Sequence, residues 1–392
     1  MSPVAIDGDF GPFATTRVEL ERGIAAGLQL GGQLWVGRGD DELADVAFGE
    51  ARPGEPMRRD HRMLWLSASK PFTAVAVAQL WERGALGLDD PVARHLPEFG
   101  AGGKGSITIR HLLTHTAGIR MLETGWPDAT WDEIVARICA RPLEPRWTPG
   151  RKAGYHLTSS WFVLGEIVRR LDGRPIELYL REELFGPLGA TSSWIGMPAA
   201  AWEAAGPQIA PMFDVSGATV RVLPWTDARH LTHPSPGGNG CGPVRELARL
   251  YRCLAAGGTV DGRRVLDPRT VEASTSRHRV GMFDQTFRTR LDWGLGLIVN
   301  SAHYGDPDAP YGYGPHAGAR TYGHSGARSS VGFADPEAGL VVALAVNGLP
   351  DEPTHRGRFA RLMAAIYEDL GLASPPLPPP FGPPLAGGSP PR

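Results

Sequence analysis

Apolar positions along the chain follow two periodicities, and their order predicts the architecture. Residues 17–27, RVELERGIAAG, carry helical spacing. Two runs rich in strand formers follow, LQLGGQLWVGR over 28–38 and ELADVAFGEA over 42–51, with Gly39 and Asp40 as the turn between them. Residues 66–84, LSASKPFTAVAVAQLWERG, predict a helix that is apolar almost all round. Such a helix belongs inside a large core, and the polar pair Ser67 and Lys70 stands at its start. A short helix running into a loop is expected over 107–118, with further helices over 130–140, 158–172, 176–186 and 244–256. From about residue 290 the pattern changes: DWGLGLIVNS, RTYGHSG, RSSVGFAD and GLVVALAVNG are spaced as consecutive antiparallel strands, with Asp335 to Gly339 as a hairpin loop. THRGRFARLMAAIYEDLG predicts a closing helix.

Strands at both ends with helices between them predict an α+β protein whose antiparallel sheet is built from both chain ends and flanked by helices, with a mainly helical domain inserted. The expected division is 1–66 with 235–373 for a discontinuous sheet domain and 67–234 for the helical domain, the functional site lying at their interface. The remainder, 374–392, reads SPPLPPPFGPPLAGGSPPR and is expected to be an extended or disordered tail.

Composition narrows the function classes. The chain has 392 residues, 42% of them hydrophobic and 21% charged, which suits one large or two intimate globular domains. Forty basic against forty-two acidic side chains give a formal net charge of -2, so neither nucleic acid nor an anionic membrane is an expected partner. Small neutral or weakly charged molecules are. Mean hydropathy is -0.19, and no run of eighteen apolar residues occurs. The first fifteen residues carry neither a basic leader nor an apolar run, which makes a cytoplasmic location the expectation. Cys139, Cys241 and Cys253 are too scattered for a disulfide framework or thiolate metal site, and neither cofactor nor metal is expected.

Lysine occurs only at Lys70, Lys104 and Lys152, whereas the other thirty-seven basic residues are arginines. A retained lysine therefore marks a place where arginine chemistry fails, unless it is a remnant of codon bias. In Ser67-Ala68-Ser69-Lys70 the ends lie one helical turn apart on one face. A serine hydroxyl needs an adjacent base to act as a nucleophile, and a desolvated lysine can lose its proton near neutral pH where arginine cannot. The competing reading makes Ser67 a helix cap. Tyr155, in a glycine-punctuated loop before a helix, is a packed aromatic or a proton shuttle beside a cation. Gly323-His324-Ser325-Gly326 is a small-residue strand whose backbone can approach a carbonyl while His324 binds substrate, or an ordinary strand with a structural histidine.

The three segments occur in a familiar order. The pieces LSASKPFTAVAVAQLWERGALGLDDPV, IRHLLTHTAGI, GYHLTSSWFVLGEIVRRLDGRPIELYLREELFGPLGAT, WGLGL and YGHSGARSSVGFADPEAGLVVALAVNG, spread over about residues 18 to 370, resemble the penicillin-binding-protein and class C β-lactamase superfamily, and within it the family VIII carboxylesterases. That resemblance implies a β-lactamase-like fold with Ser67 as acylated nucleophile and Lys70 as its proton-accepting neighbour. It implies Tyr155 as an aid to proton transfer and to the leaving group, with the assignment of the acylation base between Lys70 and Tyr155 left open. The N–H groups of Ser67 and Ala327 would form the oxyanion hole, and His324, Ser325 and Gly326 would line the substrate-binding strand.

Departures from the lactamase pattern decide the expected activity. No K-T-G occurs: His324 stands at its first position, and an imidazole mostly neutral at pH 7 holds a carboxylate far less well than an ammonium. Leu157 stands two places after Tyr155, where the lactamases carry an amide. Both changes favour uncharged esters of small or medium acyl groups. The alternatives are acyl transfer from the same acyl-enzyme, D-amino-peptidase or weak β-lactamase action, and, from a different class, a non-catalytic binder that keeps the fold. Substrate identity and oligomeric state are not legible. The loops over 119–128 and 225–242, with Trp126 and Trp225, are expected near the pocket. His111 and His115 have zinc-like spacing without the glutamate of H-E-x-x-H, and capping or loop packing is the expected role. Gly323 to Ala327 resembles a nucleophile elbow, but a strand rather than a helix follows, which counts against Ser325 as nucleophile. Gly237 to Gly240 reads as a flexible loop bordering the pocket, without the residues of a phosphate cradle.

Overall fold

Strand propensity at the two chain ends is realised in a single antiparallel sheet. The structure is a computed structural model that describes residues 3–120, 122–306 and 312–373, so the proline-rich tail lies outside the described residues. The N-terminal part supplies β1 (Ile6–Asp9), α1 (Ala14–Ala25), β2 (Gly31–Arg38) and β3 (Asp41–Arg52). The middle supplies α2 (Lys70–Glu82), α3 (Trp131–Ala140), α4 (Ser159–Asp172) and α5 (Val244–Ala255). The C-terminal part adds β4 (Asp292–Trp293), β5 (Ile298–Val299), β6 (Tyr322–Gly326), β7 (Ser330–Asp335), β8 (Leu340–Val346) and α6 (Glu352–Asp369). The strands are ordered β1-β3-β2-β8-β7-β6-β5-β4. The chain ends join where β2 pairs with β8, Leu34 opposite Leu344 and Val36 opposite Val342.

Period-two alternation assigns the faces. Leu340, Val342, Leu344 and Val346 pack with Phe13 and Leu20 of the α1 region and with Phe359, Leu362 and Ile366 of α6. Val341, Ala343 and Ala345 point the other way, into a core shared with α2, α4 and α5. Because both faces are covered, β8 reads as a continuous apolar run rather than as an alternating one.

One expectation is corrected. The run over 292–301, expected as one strand, folds back on itself between β4 and β5, where the Gly294 N–H donates to the Leu297 carbonyl at 2.9 Å. The mainly helical middle also contributes Met212–Asp214 and Arg221–Leu223, which form a small sheet with Gly348–Leu349.

The segment entering α2 positions the site. Met63–Leu66 pairs with Gly240–Gly242, and Ser67–Ser69 then forms a 3₁₀ turn ahead of α2, so the regular helix begins at Lys70 rather than at Leu66. Leu66 takes φ 49° and ψ -133°, a conformation that costs a residue with a side chain about 1–3 kcal/mol and must be held by its surroundings. The holders are local and tertiary: Ser69 Oγ donates to the Leu66 carbonyl at 2.5 Å, and Ser330 Oγ of β7 donates to the Trp65 carbonyl at 2.6 Å. Gly326 of β6 approaches so closely that a Cβ there would lie 2.2 Å from the Trp65 carbonyl oxygen. Gly326→Ala is therefore expected to lower stability by about 1–3 kcal/mol, the usual range for forcing volume into a packed site. Urea denaturation checks this against Gly217→Ala, where nothing lies within 4 Å and a change below about 0.5 kcal/mol is expected.

Candidate active site

In a 3₁₀ turn, side chains three apart eclipse one another, and the Ser67–Lys70 spacing uses this. Lys70 Nζ lies 2.9 Å from Ser67 Oγ and 2.6 Å from the Gly237 carbonyl. Lys70 is 0% exposed and Ser67 6%. Burial holds the Lys70 amine well below the usual lysine range, because the charged form loses its hydration. The rings of Tyr155 and Trp161 border the amine, with centroids 5.1 and 5.5 Å away.

The loop that supplies the Gly237 carbonyl is firmly held, which corrects its reading as flexible. Asn239 is buried; its Oδ1 accepts the Ser235 N–H at 2.9 Å, and its Nδ2 donates to the His230 and His233 carbonyls at 3.0 and 2.8 Å. The Gly240 N–H donates to Ser69 Oγ at 2.8 Å, and Thr73 Oγ1 donates to the Pro236 carbonyl at 2.6 Å. Gly237 rests on Trp161 so closely that a Cβ would meet the indole at 2.6 Å.

Tyr155 is buried against His115, Phe287, Trp293 and His324, at centroid separations of 4.6, 4.7, 5.9 and 6.1 Å. His115 and His156 form a pair that sequence reasoning missed. His156 Nε2 accepts the N–H groups of Gly118 and Ile119, both at 3.1 Å, which leaves its ring proton on Nδ1. His115 Nδ1 accepts the His156 backbone N–H at 2.9 Å and lies 3.3 Å from His156 Nδ1, so the His115 proton is on Nε2. Both rings are wholly buried; burial foremost pushes His156 down to about 3 and His115 well below the usual range. His111 serves instead in the capping box of the short helix beginning at Ile109. Trp126 packs edge-on against His230 and donates Nε1–H to the His233 carbonyl at 3.0 Å, and Trp225 packs on a separate cluster with Leu64 and Met212.

His324 of β6 is buried and faces Trp293 at 5.7 Å, and its Nδ1 lies 2.8 Å from the Ser325 carbonyl. Burial foremost pushes its pKa down to about 3, so the ring is neutral. β6 packs against the 3₁₀ turn that carries Ser67; Gly326 ends that strand and Ala327 follows it. Alternation turns the Ser325 side chain to the other face. There it lines a cavity of about 490 Å³ with Leu291, Ile298, Tyr313 and Phe359. Leu157 is 61% exposed, an apolar side chain at the surface just past Tyr155.

The other two lysines have structural surroundings. Lys104 Nζ donates to the carbonyls of Ala101, Cys139 and Arg141, three acceptors that suit a compact ammonium better than a planar guanidinium. Lys152 Nζ donates to the Arg146 carbonyl. Among the described residues no cluster of His, Cys, Asp and Glu fits a metal ion, and no helix is long and apolar enough to cross a membrane.

A sheet drawn from both chain ends, with a Ser-x-x-Lys turn wedged between that sheet and a buried helix, defines the class of β-lactamase-like folds. The Beta-lactamase family model matches residues 20–366, and the chain belongs to that family. It is similar to the esterase/β-lactamase LipL of Mycobacterium tuberculosis, 29% identical over 81% of this chain and 77% of that one. It is also similar to the esterase EstB of Burkholderia gladioli, 30% identical over 75% of this chain and 79% of that one. A solved family VIII carboxylesterase structure superposes with a TM-score of 0.78 at 27% identity, covering 93% of this chain and all of the other.

With three lysines in the chain, the state of the Lys70 amine can be read directly. Carbon NMR of protein labelled at lysine Cε should show a signal, lost in Lys70→Arg, that titrates well below the ordinary 10.5. A Lys70 signal titrating at or above that value would contradict the burial seen here.

Proposed function

We propose that the protein is a carboxylesterase that cleaves esters of small or medium acyl groups through an acyl-enzyme on Ser67. The observation that carries the reading is the solvent-free Lys70 amine 2.9 Å from the Ser67 hydroxyl. Similarity to EstB and to a family VIII carboxylesterase supports it. Neutral Lys70 keeps one lone pair for the Ser67 proton while donating to the Gly237 carbonyl. As that proton moves to Nζ, Ser67 Oγ bonds to the ester carbonyl carbon, and the carbonyl oxygen gains charge. The N–H groups of Ser67 and Ala327 receive that oxyanion. When the C–O bond to the alcohol breaks, the departing oxygen recovers the proton from Lys70, with Tyr155 as the relay. Water then attacks the acyl-enzyme by the reverse path, and the carboxylic acid leaves.

Selectivity follows from charge. His324 is neutral and adds no cation to the site, so a substrate carboxylate would lose its hydration without Coulomb compensation. Exposed Leu157 offers apolar contact where an amide would offer a hydrogen bond. Both features favour uncharged small-molecule esters over β-lactams and peptides.

Ser67→Ala is expected to abolish turnover of a p-nitrophenyl ester with the fold intact by circular dichroism, and a fluorophosphonate should add its mass to the Ser67 peptide of the native protein. Retained turnover, or a label elsewhere, would end the proposal. Lys70→Arg should be nearly inactive as well. The native rate should rise with pH through the lowered Lys70 pKa, since protonation removes the acceptor.

A further inference from the structure

One buried ion pair reaches three of the segments around Tyr155: its own loop, the loop of Thr286 and Phe287, and Thr114 beside His115. Arg279 and Asp284 are 2% and 0% exposed, and Arg279 Nη2 donates to Asp284 Oδ2 at 2.9 Å. The other carboxylate oxygen, Oδ1, accepts three backbone N–H groups: Tyr155 at 3.1 Å, Thr286 at 2.9 Å and Phe287 at 3.0 Å. Arg279 completes the set by donating Nη1–H to the Thr114 carbonyl and Nε–H to the Leu291 carbonyl, both at 3.1 Å. Thr286 Oγ1 adds a bond to the Tyr155 carbonyl at 3.2 Å.

These partners adjoin the phenol. Phe287 packs its ring on Tyr155 at 4.7 Å, and His115, the residue after Thr114, packs at 4.6 Å. The guanidinium lies 5.3 Å from the centroid of Trp293, another neighbour of that phenol. A buried ion pair is weak support for stability, because desolvation consumes most of the Coulomb gain. Its geometric effect is strong, because charge-assisted bonds fix several backbone groups at once.

We propose that the Arg279–Asp284 pair is a positioning device for Tyr155, setting the phenol relative to Lys70 and Ser67 through the backbone of Tyr155 and the rings of Phe287 and His115. The proposal rests on the reading of Tyr155 as the proton relay. Misplacement of a reacting group by about 1 Å costs up to about a hundredfold in rate, so loosening the pair should act on turnover.

The test is the double variant Arg279→Gln/Asp284→Asn, which removes both charges and leaves no ion orphaned. With a p-nitrophenyl ester, kcat should fall at least about tenfold while KM stays within about threefold, and the acid limb of the kcat profile should shift. In a Tyr155→Phe background the same double change should cause little further loss, since residues acting as a unit are not additive. Asp369→Ala serves as control: it removes a carboxylate that accepts the Thr15 and Thr16 N–H groups far from the site, and should lower the melting temperature with kcat unchanged. Should the double variant not fold, Phe287→Leu keeps the ion pair intact and is expected to show the same kinetic pattern. Native kcat and pH profile in the folded variant, or an equal loss in the Tyr155→Phe background, would overturn the proposal. Full activity of Tyr155→Phe alone would instead overturn the relay reading beneath it.

Discussion

An amine kept out of water beside a hydroxyl is the constraint around which the structure is arranged. Lys70 has no exposed surface, and the α2 residues from Pro71 to Leu80 are buried as well. Hydration would keep that amine protonated, so the helix has to be apolar on every side and the site has to be sealed from several directions. The Gly237 carbonyl takes one amine proton and the aromatic faces of Tyr155 and Trp161 fill the remaining space. The extended sheet is needed for the same reason: β6 and β7 press against the entry to α2 and hold Leu66 in its unfavourable conformation.

The histidines around this amine are electrically quiet. His115, His156 and His324 are all wholly buried, and burial drives each to its neutral form. These neutral rings add no positive charge beside the Lys70 amine, and on the proposed reading that one physical cause serves both proton transfer and the preference for uncharged esters. The charged pair that is present, Arg279 with Asp284, directs its hydrogen bonds to one another and to backbone groups.

Local regularity explains what could be read in advance. Both halves of the sheet were read from runs of strand formers between turn residues and most helices from helical spacing, and β8 and α2 were legible because burial on all sides leaves an uninterrupted apolar run. The failures came where local pattern underdetermines geometry. Asp292 to Ser301 has the composition of one strand, yet a turn at Gly294 to Leu297 divides it. The 3₁₀ turn at Ser67 looked like the first turn of a helix because both place residues three apart on one side. Gly237 to Gly240 looked flexible from its glycines and is held by Asn239 and Ser69.

The spacing that puts Ser67 and Lys70 on one face was determined by the sequence itself, since residues three apart on a helical turn are neighbours. So was the family, through matching segments spread along the chain. Tertiary structure alone decided which distant groups seal and hold the site around the candidate residues. Gly237 is 167 residues from Lys70, Asp284 is 129 from Tyr155, and His156 is 41 from His115. Whether the amine is neutral depends on how completely those distant segments exclude water, and exclusion is a property of packed volume that no local spacing encodes.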